Sequence, residues 1–146
     1  MKVMLTGGTG FIGGHLLKAL TSADHDVRLL VRDAEKLKKM LELQGIDTEV
    51  DYVVGDMTDP TTVLASLEGC NACIHAAAFT SLDPTLMDQA LAVNGPAAQL
   101  ILDTAHQQGC DPIIHVSTMS VIFPPNGDLL SGEDPVQGGG NPYNAS

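Results

Sequence analysis

The sequence has no tryptophan, only 3% aromatic residues, and no Lys or Arg anywhere after Lys39. That last absence is the most informative. All seven basic residues (Lys2, Lys18, Arg28, Arg32, Lys36, Lys38 and Lys39) fall in the first 39 positions, which carry +3, while the following 107 positions carry −14. A nucleic-acid groove needs cations to neutralise phosphates, so no nucleic-acid partner is expected over most of this surface. Three cysteines, Cys70, Cys73 and Cys110, are too few for a secreted disulfide framework, and one C-x-x-C without a second pair makes a poor zinc site. They read as structural thiols, and His15, His25 and His106 show no metal spacing. No apolar run approaches the roughly 20 residues that span a bilayer, and the start of the chain reads as a strand rather than a signal peptide, so the expected setting is cytoplasmic, without a membrane partner.

What is present is 146 residues with 44% hydrophobic, 17% charged, 15 Gly and 8 Pro, a composition that fits one globular domain and excludes disorder, collagen and coiled coil. Short apolar or β-branched runs alternate with helical patterns, the signature of an α/β fold with a parallel sheet. Strands are expected at Lys2 to Thr6, Val27 to Val31, around Val50, Tyr52 and Val54, at Ala72 to Ala76 and at Ile113 to Ser117. Phe11 to Leu20 is expected to be a helix with Ile12, Leu16 and Ala19 on its buried face. Asp33 should cap a helix over Ala34 to Gln44 whose buried stripe is Leu37, Met40 and Leu41 and whose stop is Gly45. Asp59-Pro60 opens another helix, ending near Gly69. The region from about Pro84 to Gln108 is helical, and Pro96 predicts a kink or two consecutive helices. His75 and His115 read as core histidines. Beyond Ser117 the Pro- and Gly-rich punctuation reads as an active-site loop.

Thr6-Gly7-Gly8-Thr9-Gly10-Phe11-Ile12-Gly13 lies between the first strand and the first helix, where a phosphate cradle belongs. Gly7 permits the sharp turn, Gly10 lets backbone approach a pyrophosphate, and Gly13 lets the helix pack closely on the sheet. The helix start adds oriented N–H groups and a partial positive charge. The cofactor-binding residues expected from this turn are Gly7, Thr9, Gly10, Phe11, Ile12 and Gly13. An acid at the end of the second strand would favour NAD, whereas an Arg accommodates the 2′-phosphate of NADP. This strand ends Val31-Arg32, with Lys36 one helical turn on. The expected cofactor is therefore NADP, with NAD second.

Six segments in order, from the glycine turn through Gly55-Asp56-Met57-Thr58-Asp59, His75-Ala76-Ala77-Ala78, Val93-Asn94-Gly95 and Val116-Ser117-Thr118 to Pro142-Tyr143-Asn144-Ala145-Ser146, give a specific resemblance. The chain resembles the extended short-chain dehydrogenase/reductases, the NAD-dependent epimerase/dehydratase family, and within it the dihydroflavonol-reductase-like members. The resemblance implies a Rossmann-type parallel sheet of order 3-2-1-4-5 with helices on both faces. It implies that Asp56, with Met57, meets the adenine, that Ala76, Ala77 and Ala78 pass beneath the ribose and phosphates, and that Asn94 helps order the site, although Gly95-Pro96 departs from the family's pattern there.

It further implies hydride transfer at a carbinol carbon of a small-molecule substrate, with Tyr143 moving the hydroxyl proton and Thr118, or its neighbour Ser117, holding the substrate oxygen. The family's motif is Tyr-x-x-x-Lys, and this sequence reads Tyr143-Asn144-Ala145-Ser146 with the lysine expected next. A tyrosine with an unshifted pKa of about 10 is only about 0.1% phenolate at pH 7, which is why that cation matters. The resemblance thus covers the family's cofactor-binding half, truncated after the fifth strand and without its substrate domain, and an uncovered sheet edge would invite association into a homo-oligomer. Reduction of a carbonyl is the leading expectation, with epimerisation or dehydration open. A dinucleotide-binding or sensing module without turnover is the second reading, and a flavodoxin-type mononucleotide binder is a remoter third.

Overall fold

A computed structural model describes residues 1–47, 49–122, 131–136 and 146. The elements run β1 (Lys2–Thr6), α1 (Phe11–Ser22), β2 (Asp26–Val31), α2 (Ala34–Gln44), β3 (Asp51–Val54), α3 (Pro60–Leu67), β4 (Ala72–His75), a 3-10 turn (Pro84–Leu86), α4 (Met87–Gln107), β5 (Ile113–His115) and a second 3-10 turn (Met119–Ile122). The five strands pair in parallel in the order β3-β2-β1-β4-β5, as the Rossmann reading requires. Two compact units partition the chain, one of Met1–Ala77 with Ala97–Val116 and the other of Ala78–Pro96 with Ser117–Ser146. Among the described residues no helix is long and apolar enough to cross a membrane.

Within the first unit, strand alternation sorts the core into two layers. Leu5, Leu29 and Ile74 face one way and pack with Leu17 of α1 and Leu37 and Met40 of α2. Met4, Leu30 and Cys73 face the other way and pack with Val63 and Leu67 of α3 and Ile101 and Ala105 of α4. Helices therefore cover both faces of the sheet's centre, and β1, β2 and β4 are largely apolar on both sides because neither side meets water there. All three cysteines are buried and free, and burial pushes the Cys73 thiol up to about 12, so these thiols are packing groups.

Helix ends follow local chemistry. Asp33 accepts from the backbone N–H of Glu35 and Lys36, and Gly45 closes α2 in the left-handed region at φ 63°. Asp59 accepts from Thr61 N–H at 3.0 Å with Pro60 at the first helical position. Asp59→Ala should therefore lower stability by about 1 kcal/mol, read as a drop of about 3 °C in Tm by calorimetry.

Four expectations need correction. The buried face of α1 is Gly13, Gly14 and Leu17, whereas Ile12 is 56% exposed and Ala19 is exposed. Gly13 lies against the Gly7–Gly8 turn and Gly14 faces Met40 of α2, so the buried face of the helix start is made by glycines and excludes Ile12. α4 is one helix from Met87 to Gln107 with Pro96 inside it, so the alternative of two consecutive helices is excluded. Proline's ring crowds the N–H and Cβ of the residue before it, and Gly95 has no Cβ, so half of that clash is absent. β4 stops at His75 instead of Ala76, and β5 stops at His115 instead of Ser117. The N–H of Ala76 turns to the Thr6 hydroxyl, which ends the ladder, and Val116 makes the last bond of β5 to the His75 carbonyl at 2.9 Å. His115, finally, is exposed, because β5 is the edge strand of the described sheet; only His75 is a core histidine, 2% exposed.

Candidate functional site

In a parallel sheet every strand ends at the same edge, and ligands gather where the strand order reverses. Here the reversal lies at β1, which has β2 on one side and β4 on the other. The residues that follow β1, β2, β3 and β4 are Gly7, Arg32, Gly55-Asp56 and Ala76-Ala77, so sequence segments tens of residues apart are delivered to one edge.

The glycine turn is built by contact as well as by conformation. Gly7 has φ 76°, and a Cβ there would stand 2.6 Å from the Ala76 carbonyl oxygen and 2.8 Å from Ala77 N. A Cβ on Gly13 would fall on the Gly7 carbonyl and within 2.9 Å of Gly8 N. Both positions are closed to side chains by the protein's own backbone. Gly10 differs. Its φ is −95°, and a Cβ would meet only the Gly7 carbonyl, at 3.2 Å. The fold closes this position far less than the other two, which leaves room beside Gly10 as the cradle a bound group would fill.

The amides at this point fit an anion. Gly10 caps α1 without any side-chain hydrogen bond and the first turn contains no acid, whereas α2 and α3 are each capped by an aspartate. Intrahelical bonding begins with Gly14 N–H on the Gly10 carbonyl at 2.9 Å, which leaves the N–H groups of Phe11, Ile12 and Gly13 without an intrahelical acceptor. Phe11, 81% exposed, and Ile12 flank the opening as apolar surface, and the Phe11 ring lies edge-on to His15 at 4.8 Å. Thr9 is half-buried within the turn.

Arg32 is exposed at the end of β2, and its charge helps hold the Asp56 carboxyl below the usual carboxylate range. The larger cause is the pair of hydrogen bonds that Asp56 Oδ1 accepts from the Thr58 hydroxyl at 2.7 Å and Thr58 N–H at 2.9 Å. These fix the exposed carboxylate as an ionised acceptor. Met57 beside it packs partly on the α3 and α4 layer of the core.

Sequence reasoning missed Thr6. Its buried hydroxyl accepts from Ala76 N–H at 3.1 Å and Ala77 N–H at 3.2 Å and bonds Nδ1 of His75 at 2.7 Å. A Thr directly before the first glycine was the available signal, but its partners depend on cross-strand register. In the second unit, Asn94 accepts from Phe79 N–H at 2.7 Å, donates to the Phe79 carbonyl at 2.9 Å and to the Ser146 hydroxyl at 2.7 Å, so it pins the segment after Ala78. Ala78 is exposed in that unit. Thr118, half-buried, shares a 2.9 Å hydrogen bond with the Ser120 hydroxyl, while Ser117 is exposed. Tyr143 lies outside the described residues.

An open parallel sheet with a glycine-framed, uncapped helix start at its strand-order reversal defines a Rossmann-type α/β fold. The chain belongs to the 3-beta hydroxysteroid dehydrogenase/isomerase family, whose sequence profile matches residues 4–139, and thereby to the extended short-chain dehydrogenase/reductases of the NAD(P)-dependent epimerase/dehydratase group. It is 31% identical over 122 residues to the 4-hydroxy-2-methyl-3-oxo-4-farnesyl-3,4-dihydroquinoline-1-oxide ketoreductase of Stigmatella aurantiaca, covering 84% of this chain and 35% of that protein. It is 30% identical over 122 residues to cinnamoyl-CoA reductase 1 of Oryza sativa subsp. japonica, covering 82% of this chain and 35% of that protein. The chain thus spans about a third of the length of these curated relatives. Among solved structures, a UDP-glucose-4-epimerase from Stenotrophomonas maltophila with bound NAD superposes with a TM-score of 0.84 at 22% identity, over 99% of this chain and 44% of that one, a likeness of fold.

Proposed function

We propose that this chain forms the NADP(H)-binding part of a carbonyl reductase acting on a small molecule, with Thr118 holding the substrate oxygen and Tyr143 moving the hydroxyl proton. The observation that carries the dinucleotide reading is the entrance to α1, where three amides lack intrahelical acceptors beside a glycine at which an added Cβ would meet a single carbonyl. A bound nicotinamide supplies the hydride chemistry. The chain's own residues orient it: Gly7 and Gly13 shape the turn, Asp56 presents an ionised acceptor suited to an exocyclic amine, and Ala76 and Ala77 offer backbone without bulk. Both curated relatives named above are reductases, one of them a ketoreductase, which supports reduction over epimerisation.

The preference for NADP over NAD rests on Arg32 at the end of β2, with Lys36 a turn later on the exposed face of α2. A guanidinium on a 2′-phosphate makes charge-assisted hydrogen bonds worth about 1.5 kcal/mol or more, so NADPH should bind about tenfold tighter than NADH. A fluorescence titration with each reduced cofactor measures this. Arg32→Asp should reverse the order, because a carboxylate repels the phosphate and accepts from a free 2′-hydroxyl. Equal or tighter binding of NADH by the unaltered chain overturns the preference, and no binding of either overturns the dinucleotide reading.

A further inference from the structure

Along the last rung of the sheet, Thr6 of β1 pairs with His75 of β4, and His75 pairs with His115 of β5. A threonine hydroxyl has one hydrogen and two lone pairs. The N–H groups of Ala76 and Ala77 can only donate, and both are within hydrogen-bond distance of Thr6 Oγ1, so both lone pairs are committed. The third contact, 2.7 Å to Nδ1 of His75, is then one in which the hydroxyl donates and the ring nitrogen accepts. A neutral imidazole that accepts at Nδ1 carries its proton on Nε2. The neutral form is the one present near pH 7, because burial, and secondarily His115 stacked 5.2 Å away, lowers the His75 pKa to about 4.

We infer that His75 is a positioning residue for the dinucleotide site: as the Nε2-protonated tautomer it orients the Thr6 hydroxyl, and the hydroxyl in turn holds the Ala76-Ala77 peptide against Gly7. The inference rests on the dinucleotide reading above and adds a role that the glycine turn does not contain. The chain of contacts is continuous. His75 Nδ1 sets the direction of one hydrogen, the hydroxyl's remaining lone pairs take two backbone donors, and the peptide they fix lies so close to Gly7 that no Cβ fits between them. If Nδ1 carried the proton instead, the hydroxyl would have to turn a lone pair toward it and release one of the two amides.

The test compares His75→Asn, whose side-chain carbonyl keeps an acceptor near the place of Nδ1, with His75→Leu, which keeps an apolar volume and no acceptor. Both remove the ring stack on His115, so loss of the stack cancels between them. Amide hydrogen exchange at Ala76 and Ala77 and the NADPH dissociation constant are the readouts. His75→Leu should speed exchange and weaken NADPH by about tenfold or more, while His75→Asn stays within about threefold of the unaltered chain. Equal losses in the two variants reduce His75 to a packing residue and overturn the inference. The imidazole 15N spectrum of the unaltered chain is a second reading, independent of any variant's folding, and a protonated Nδ1 at pH 7 overturns the inference as well. Absence of NADPH and NADH binding by the unaltered chain fails the dinucleotide reading instead, and the exchange contrast and the 15N spectrum still decide whether His75 holds the peptide.

Discussion

Gly10→Ala is expected to fold like the unaltered chain and to lose the dinucleotide, whereas Gly13→Ala is expected to lose stability outright. The two substitutions add the same methyl group three residues apart, so their difference isolates what each glycine is for. At Gly13 the new carbon meets backbone, the Gly7 carbonyl and Gly8 N, and neither can rotate away as a flexible side chain would. Relief requires α1 to back off the sheet, disturbing the Leu17 packing beneath it, at a cost of about 3 kcal/mol. That is a large part of the roughly 5–15 kcal/mol that holds a domain together, and calorimetry should show Tm falling by about 10 °C. At Gly10 the backbone is in an ordinary extended conformation and the new carbon touches one carbonyl at 3.2 Å, so Tm should move by about 2 °C or less. Gly10 directly precedes the Phe11, Ile12 and Gly13 amides, however, and under the dinucleotide reading its methyl takes room that the phosphates need. A pyrophosphate kept away from those donors loses several hydrogen bonds together, and NADPH affinity should fall about a hundredfold. Unchanged NADPH binding by Gly10→Ala would mean that phosphates do not rest at this entrance.

The same contrast explains how much of the molecule could be read from its sequence. α2 is legible end to end, Ala34–Gln44, because Asp33 and Gly45 act on backbone groups within a few residues of themselves. Gly7 and Gly13 are legible for a related reason, since a position that admits no side chain can only be glycine. The buried face of α1 was not, because Gly13 and Gly14 contribute no hydrophobic signal although they are buried. His115 was misread as core because a strand's composition does not say which strand lies at the edge. The Thr6 hydroxyl network joins residues 69 to 71 positions apart, and only the β1–β4 register brings them together. Asn94 stood out in the sequence only through the resemblance, and its hydrogen bonds to Phe79, fifteen residues away, could not be read from it.

Lowering the pH from 7 to 5 should destabilise the protein by about 2 kcal/mol through His75 alone, rising to about 3 kcal/mol as pH 4 is reached. The folded-state pKa of this histidine is about 4, depressed mainly by burial and secondarily by His115, against an ordinary value of 6.5. Between those two values the unfolded chain binds a proton that the folded chain does not. Stability therefore rises with pH across this window and is lost as pH falls through it, while the slope fades to nothing about one pH unit above 6.5. Carboxylates act lower on the scale. Asp51, held below the usual range by Lys2 and Arg28, and Asp56, held there by Thr58 and Arg32, contribute stability that is lost only as pH falls below the ordinary carboxylate range. The histidine window thus opens first and can be measured by itself. Urea unfolding at pH 7, 6 and 5 should show the midpoint falling for the unaltered chain and holding nearly level for His75→Asn, whose side chain does not titrate. A level midpoint in both would mean that His75 ionises as readily in the folded chain as in the unfolded one, and would remove the buried, neutral ring on which the orientation of the Thr6 hydroxyl depends.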